Sequence, residues 1–223
     1  MKVVAVVPIR KGSQRVKNKN LRPFADSTLL EVKIESLLRV GEIDEIIVNT
    51  NSDEAIEIVN GTFSGERVRT QRRSEYFASS ACSGSEFFKH LGDVTETEIF
   101  VYAPCTSPFV KAERVSECIQ KVCHEGYDSA FTGEKLQRLM WHQGEPLNFD
   151  AASVPRTQDL PVYYNEVSAA YVFQRETFEK LNRRVGVNPY ICEVSGVECV
   201  DIDYPEDFEI ANAIYMHILR KGD

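Results

Sequence analysis

Six basic residues, Arg10, Lys11, Arg15, Lys17, Lys19 and Arg22, fall within thirteen positions that hold no acidic residue. All but Arg22 sit in the run from Pro8 to Asn20. Gly12 permits close backbone approach to a ligand, and Ser13 adds a hydroxyl donor. Arg15 offers a fixed fork for two phosphate oxygens, while Lys19 is a mobile point charge. The set suits a triphosphate. It is neither a Walker A loop nor a GxGxxG fingerprint.

A second chemical feature lies far along the chain. In Val200-Asp201-Ile202-Asp203, an extended backbone sends both carboxylates to one side and both apolar side chains to the other. Asp201 and Asp203 beside a triphosphate suit Mg²⁺, which takes oxygen ligands from one or two carboxylates and from phosphates. Asp203 and Glu206 also have the spacing of a capping box for the last helix. Both readings stay open on spacing alone.

These groups need a frame. A Val-rich run over 2–8 reads as a buried parallel strand, and the basic loop leaves its carboxyl end, where α/β sheets bind ligands. Leu30, Ile34, Leu37 and Leu38 form one helix face. Further strands are expected over 43–50, 98–103, 128–132, 166–173 and 199–202. Further helices are expected over 53–59, 83–91, 111–123 and 205–219. Alternation of this kind predicts an α/β fold, a mostly parallel sheet with helices on both faces, in one domain over 1–223. Residues 134–165 break the rhythm with Trp141, Gly144, Pro146, Pro155 and Pro161. This irregular insertion is expected to cover a site or form an oligomer contact.

Composition narrows the partners. A net charge of −8 argues against general nucleic-acid binding, which rests on neutralising phosphates. No run of about 18 apolar residues suggests a membrane span, and the first residues do not read as a signal peptide. The six cysteines form no CxxC pair and no zinc spacing with the four histidines. A cytoplasmic protein with reduced thiols is the expectation.

The pattern Pro-x-Arg-x-x-Ser-x-Arg-x-x-x-Lys after the first strand resembles the sugar-acid cytidylyltransferases. That family includes synthetases that activate N-acetylneuraminic (sialic) acid and 3-deoxy-manno-octulosonate with CTP, and the order of motifs here follows the sialic type. The resemblance implies a Rossmann-like nucleotidyltransferase, a homodimer, and transfer of CMP from CTP to an acidic sugar. It implies that Pro8, Arg10, Gly12, Ser13, Arg15, Lys19 and Asn20 hold CTP, and that Asp201 and Asp203 hold Mg²⁺. Arg72 and Ser83 match pyrimidine and phosphate contacts, with Arg73 as the competitor to Arg72. Thr106, Ser107, Arg156 and Gln158 match acceptor-side motifs. Catalysis would fall to Arg15, Lys19 and Asp203.

The departures concentrate on the acceptor side. Sialic-type members carry Lys-Gly where Gln14 and Arg15 stand, and Asn51 replaces an Asp. Pro104 replaces a Gln, Cys105 a Pro, Val167 an Asn and Ser168 a Gly. The nucleotide half is largely kept, so the acceptor need not be N-acetylneuraminate.

Overall fold

The computed structural model describes residues 1–13 and 15–222, without the side chains of 220–222; Gln14 lies outside the described residues. The first strand, β1 (Val3–Ile9), enters a basic loop that ends in a two-stranded turn, β2 (Pro23–Phe24) and β3 (Ser27–Thr28). Then come α1 (Leu29–Leu38), β4 (Glu45–Thr50), α2 (Asp53–Thr62) and β5 (Val68–Arg72). The short α3 (Glu75–Ala78) leads to α4 (Gly84–Val94), β6 (Ile99–Tyr102), α5 (Ala112–His124) and β7 (Ser129–Leu136). A small hairpin, β8 (Trp141–His142) and β9 (Glu145–Pro146), precedes the long β10 (Tyr163–Gln174). The chain closes with α6 (Arg175–Leu181), β11 (Pro189–Val194) and α7 (Pro205–Gly222).

Seven strands form one sheet in the order β11-β7-β10-β6-β1-β4-β5. All its pairings are parallel except those of β10, which runs antiparallel to β6 and β7. The alternation along β1 shows why helices cover both faces. Val3, Ala5, Val7 and Ile9 pack with α1, α2, α5 and α7, whereas Val6 joins Phe88, Leu91 and Phe178 of α4 and α6. On α1, the expected face residues Leu30, Ile34 and Leu37 are buried. Each such side chain contributes about 2 kcal/mol of hydrophobic stabilisation.

Three sequence expectations change. Residues 199–202 are not a strand: Gly196–Cys199 is a 3₁₀ turn, and residues 201–203 have no regular secondary structure and no pairing with the sheet. The apolar/polar alternation survives because Ile202 is buried, and its N–H donates to the Thr106 carbonyl at 2.8 Å. β5 and β11, which were not expected, form the two sheet edges. The irregular 134–165 segment is partly regular, since β7 reaches Leu136 and β10 starts at Tyr163. Between them the β8–β9 hairpin carries Trp141, packed edge-on against Phe149.

Candidate active site

A cleft of about 460 Å³ lies at the carboxyl ends of β1 and β6. It gathers Pro8, Arg10, Ser13, Arg15, Lys19, Asn20, Ser83 and Thr106, which the sequence analysis singled out. Arg73, Phe77, Phe87, Tyr102, Cys82 and Pro104 complete much of its wall. Gly12 instead faces an adjoining hollow with Ser52 and Asp53. Its φ of +80° is a left-handed backbone that suits glycine.

The basic loop is tied down at several points. Asn51 accepts the Lys11 backbone N–H at 2.8 Å and donates to Glu75 at 2.9 Å. Its neighbour Ser52 caps α2 by accepting the Ala55 N–H. Asn51 is thus a fixed support for the loop, with its amide used on both sides. Lys19, only 13% exposed in its side chain, donates from Nζ to the Ile202 carbonyl. This bond joins the basic loop to the carboxylate segment.

The two charge clusters meet. Arg15 Nη2 lies 2.8 Å from Asp203 Oδ1, and Lys19 Nζ lies 4.0 Å from the same oxygen. Arg15 also rests over the Tyr204 ring at 5.3 Å. A hydrogen bond to Tyr204 and then the Asp203 charge hold the Arg15 guanidinium above its ordinary pKa. Burial lowers that of Lys19, against the pull of Asp203 and Asp201. The open capping reading for Asp203 is resolved differently: Asp207 Oδ2 accepts the N–H groups of Asp203 and Tyr204. The Asp203 carboxylate is left for the cleft cations. Asp201 Oδ1 is buried with no hydrogen-bond partner.

Arg73, rather than Arg72, reaches the cleft. Arg72 turns outward to pair with Asp53, because β5 ends there in register with Thr50. The Arg73 N–H continues the ladder to the Thr50 carbonyl, and its side chain folds inward. Its Nη2 donates to the Ile9 carbonyl at 2.9 Å, and its guanidinium lies 5.0 Å from the Phe87 ring centroid. Burial lowers its pKa to about 10. Ser83 is the N-cap of α4, in a reciprocal capping box with Glu86. Its hydroxyl donates to Glu86 Oε2 at 2.7 Å, and together with Tyr76 it brings that carboxyl down to about 2. Ser83 therefore presents a helix N-terminus to the cleft, a favourable place for an anion.

The acceptor-side residues are dispersed. Thr106 lines the cleft, but Ser107 is fully buried and its hydroxyl has no partner. Arg156 and Gln158 lie exposed on a 3₁₀ turn and do not line the cleft, and Arg156 pairs with Asp159 through two bonds of 2.8 and 3.3 Å.

One buried charge was not foreseen. Lys33 of α1 is 4% exposed and makes only long bonds, 3.4 Å to the Ser107 carbonyl and 3.3 Å to that of Ala169. Burial lowers its pKa to about 8, while Cys105 and Asp201 oppose the shift. A lysine with a depressed folded pKa destabilises the fold while charged. That cost is full below about pH 8 and is relieved as pH rises toward 10.5. Lys33→Met is therefore expected to raise stability at neutral pH by on the order of 3 kcal/mol. Its gain over the parent should shrink between pH 8 and 10.5. Urea melts of both proteins across that range check this; a gain independent of pH would exclude a charged Lys33 as the cause.

The fold and cleft define an α/β protein that concentrates cations at the carboxyl end of β1, with Asp203 beside two of them. The chain belongs to the cytidylyltransferase family, whose model matches residues 4–222. It is 24% identical over 228 residues to an N-acylneuraminate cytidylyltransferase of Oncorhynchus mykiss, covering 99% of this chain and 51% of that protein. The chain thus spans about half the length of that relative. A pseudaminic acid cytidylyltransferase of Campylobacter jejuni is 25% identical over 232 residues, covering 96% of this chain and 97% of that protein. Among solved structures, a CMP:2-keto-3-deoxy-manno-octonic acid synthetase complexed with CTP shares the fold at a TM-score of 0.70 and 17% identity, with 97% and 99% of the two chains covered. A 4-diphosphocytidyl-2C-methyl-D-erythritol synthase from Anaerococcus prevotii does so at 0.68 and 15%, covering 96% and 98%. No described helix is long and apolar enough to cross a membrane.

Proposed function

We propose that the protein transfers CMP from CTP to an acidic 2-keto-3-deoxy sugar, releasing pyrophosphate. The observation that carries this reading is the contact of Asp203 with Arg15, 188 residues away in sequence, beside the cleft that Arg15 and Lys19 line. Relatives that act on N-acylneuraminate and on pseudaminic acid support an acidic sugar as acceptor. Pro104 at the cleft wall, where the resembled family carries a Gln, supports an acceptor other than N-acetylneuraminate.

In this reading the acceptor hydroxyl attacks the α-phosphorus as the bond to the departing pyrophosphate breaks and the hydroxyl proton is lost. Arg10, Arg15 and Lys19 hold the phosphates, and Ser83 presents the α4 N-terminus to them. Phe77 and Phe87 offer aromatic surface to the base. Alignment and fixed charge supply most of the acceleration. The donors present fit Mg²⁺: Asp201 keeps an oxygen without a partner, and Asp203 is the second carboxylate. The described residues hold no cluster of three or more His, Cys, Asp or Glu for a metal, so phosphates and water would supply the other ligands. Bound there, the cation would neutralise phosphate charge in the transition state.

Six free cysteines fit a reducing cytoplasm. The exposed Leu139, Trp141, Leu147 and Val154 of the β7–β10 segment fit a homodimer contact within a single catalytic domain. Pyrophosphate release should require CTP, Mg²⁺ and a 2-keto sugar acid together. Assay of each nucleoside triphosphate against N-acetylneuraminate, pseudaminate and 3-deoxy-manno-octulosonate tests this. Release independent of any acid would sink the transferase reading.

A further inference from the structure

Resting on that reading, the acceptor's carboxylate still needs a cation. Within one chain Arg156 does not line the cleft, Arg10, Arg15 and Lys19 serve phosphates, and Arg73 is committed to the Ile9 carbonyl and the Phe87 ring. A second hollow of about 280 Å³ lies beside the start of α4. Gly84 borders both spaces. Ser85, Phe88, Arg183 and Arg184 form most of the remaining wall.

Arg184 is held as an anion receptor would be. Its guanidinium lies 4.2 Å from the Tyr171 ring centroid, and Tyr171 lies 6.2 Å from Tyr102, a residue of the cleft wall. Arg184 Nη2 meets Glu166 Oε2 at 2.8 Å. Its Nε is buried with no hydrogen-bond partner. A buried guanidinium N–H without an acceptor costs free energy until one arrives. Glu166 has a second anchor, the Tyr171 hydroxyl at 2.8 Å, and its side chain is 44% exposed. The Glu166 carboxylate shows that the site takes a carboxylate at hydrogen-bond distance. Being exposed and separately anchored, it can yield Arg184 to another. Arg183 adds positive charge, and Phe88 supplies an apolar wall for a sugar ring.

We propose that Arg184 is the acceptor-recognising residue, receiving the carboxylate of the 2-keto sugar acid in the hollow beside α4, with Glu166 as its partner in the free protein. The assignment makes Arg184 a determinant of acidic over neutral acceptors.

The test pairs a change in the protein with a change in the acceptor. Initial rates are measured for the parent, Arg184→Gln and Arg184→Lys with the best acid of the three above and with its carboxamide. CTP dependence and the thermal midpoint are measured alongside. Arg184→Gln should raise the acceptor KM by about ten- to a hundredfold, the effect of losing a charge-assisted bidentate contact. Its CTP KM and thermal midpoint should stay near the parent's. The parent should prefer acid to amide by a similar factor, and that preference should collapse in Arg184→Gln because the two losses are one interaction. Arg184→Lys, which keeps the charge without the fork, should fall between them and serves if the Gln variant does not fold. An unchanged acceptor KM, or an acid preference that survives in the variants, overturns the proposal. Parallel rises in both KM values assign Arg184 a structural role and also overturn it. Turnover of none of the acids by the parent overturns the transferase reading, and this one with it.

Discussion

Asp203→Asn will cut pyrophosphate release severely yet tighten the binding of CTP in the absence of metal. The two effects have opposite signs because Asp203 has two partners at different stages. In the free protein it neutralises Arg15 at 2.8 Å and lies 4.0 Å from Lys19. CTP must take these cations from it. Removing the carboxylate charge frees them in advance, and an exposed ion pair is weak, so metal-free affinity should rise only about two- to fivefold. Turnover should fall by about a thousandfold, since a fixed charge aimed at the transition state is lost. Asp201→Asn leaves the Arg15 pair intact. It should lose turnover without any gain in metal-free affinity. Calorimetry of CTP binding in EDTA, beside the pyrophosphate assay, reads both variants. Weaker metal-free binding by Asp203→Asn would show that its carboxylate does not compete with phosphate.

The basic loop and its place after the first strand were legible because both are local. A continuous apolar run marks β1, and the charges follow it directly. The α1 face was legible from spacing, yet Lys33 on the same helix was not, because a lysine reads as a solvent position and only tertiary packing buries it. β5 was hidden by its own composition: Val68-Arg69-Thr70-Gln71-Arg72 is an edge strand with exposed Arg69 and Arg72, so it reads as a basic patch. Its register also decides between the two arginines, turning Arg72 out and Arg73 in, and register is not written in the spacing of charges. The carboxylate segment was misread as a strand for the converse reason. Buried Ile202 between two half-buried aspartates mimics a strand's alternation while pairing through one hydrogen bond to Thr106. The alternation gave the right faces from the wrong element. Arg184 carries no local signal, because it lies in the loop between α6 and β11 and its partners Glu166 and Tyr171 reach it from β10.

Lys19→Met should be the most damaging change within the basic loop. Arg15 is exposed over half of its side chain, so solvent screens it and its partner can move. Lys19 is 13% exposed and works in a lower dielectric, where a charge aimed at departing pyrophosphate is worth more. Loss of such a group should lower kcat by about a hundred- to a thousandfold. A second consequence follows from the same ammonium: without it, the Ile202 carbonyl loses its partner, and the segment carrying Asp201 and Asp203 loses its tie to the loop. Lys19→Arg separates the two effects. It keeps the charge and donates to a carbonyl, but its planar fork cannot reproduce the geometry of a compact ammonium, so activity should fall by about tenfold. Single-turnover rates at saturating CTP measure both variants. If Lys19→Met retains a rate within tenfold of the parent, Lys19 is a tether of the fold rather than a charge acting on the leaving group.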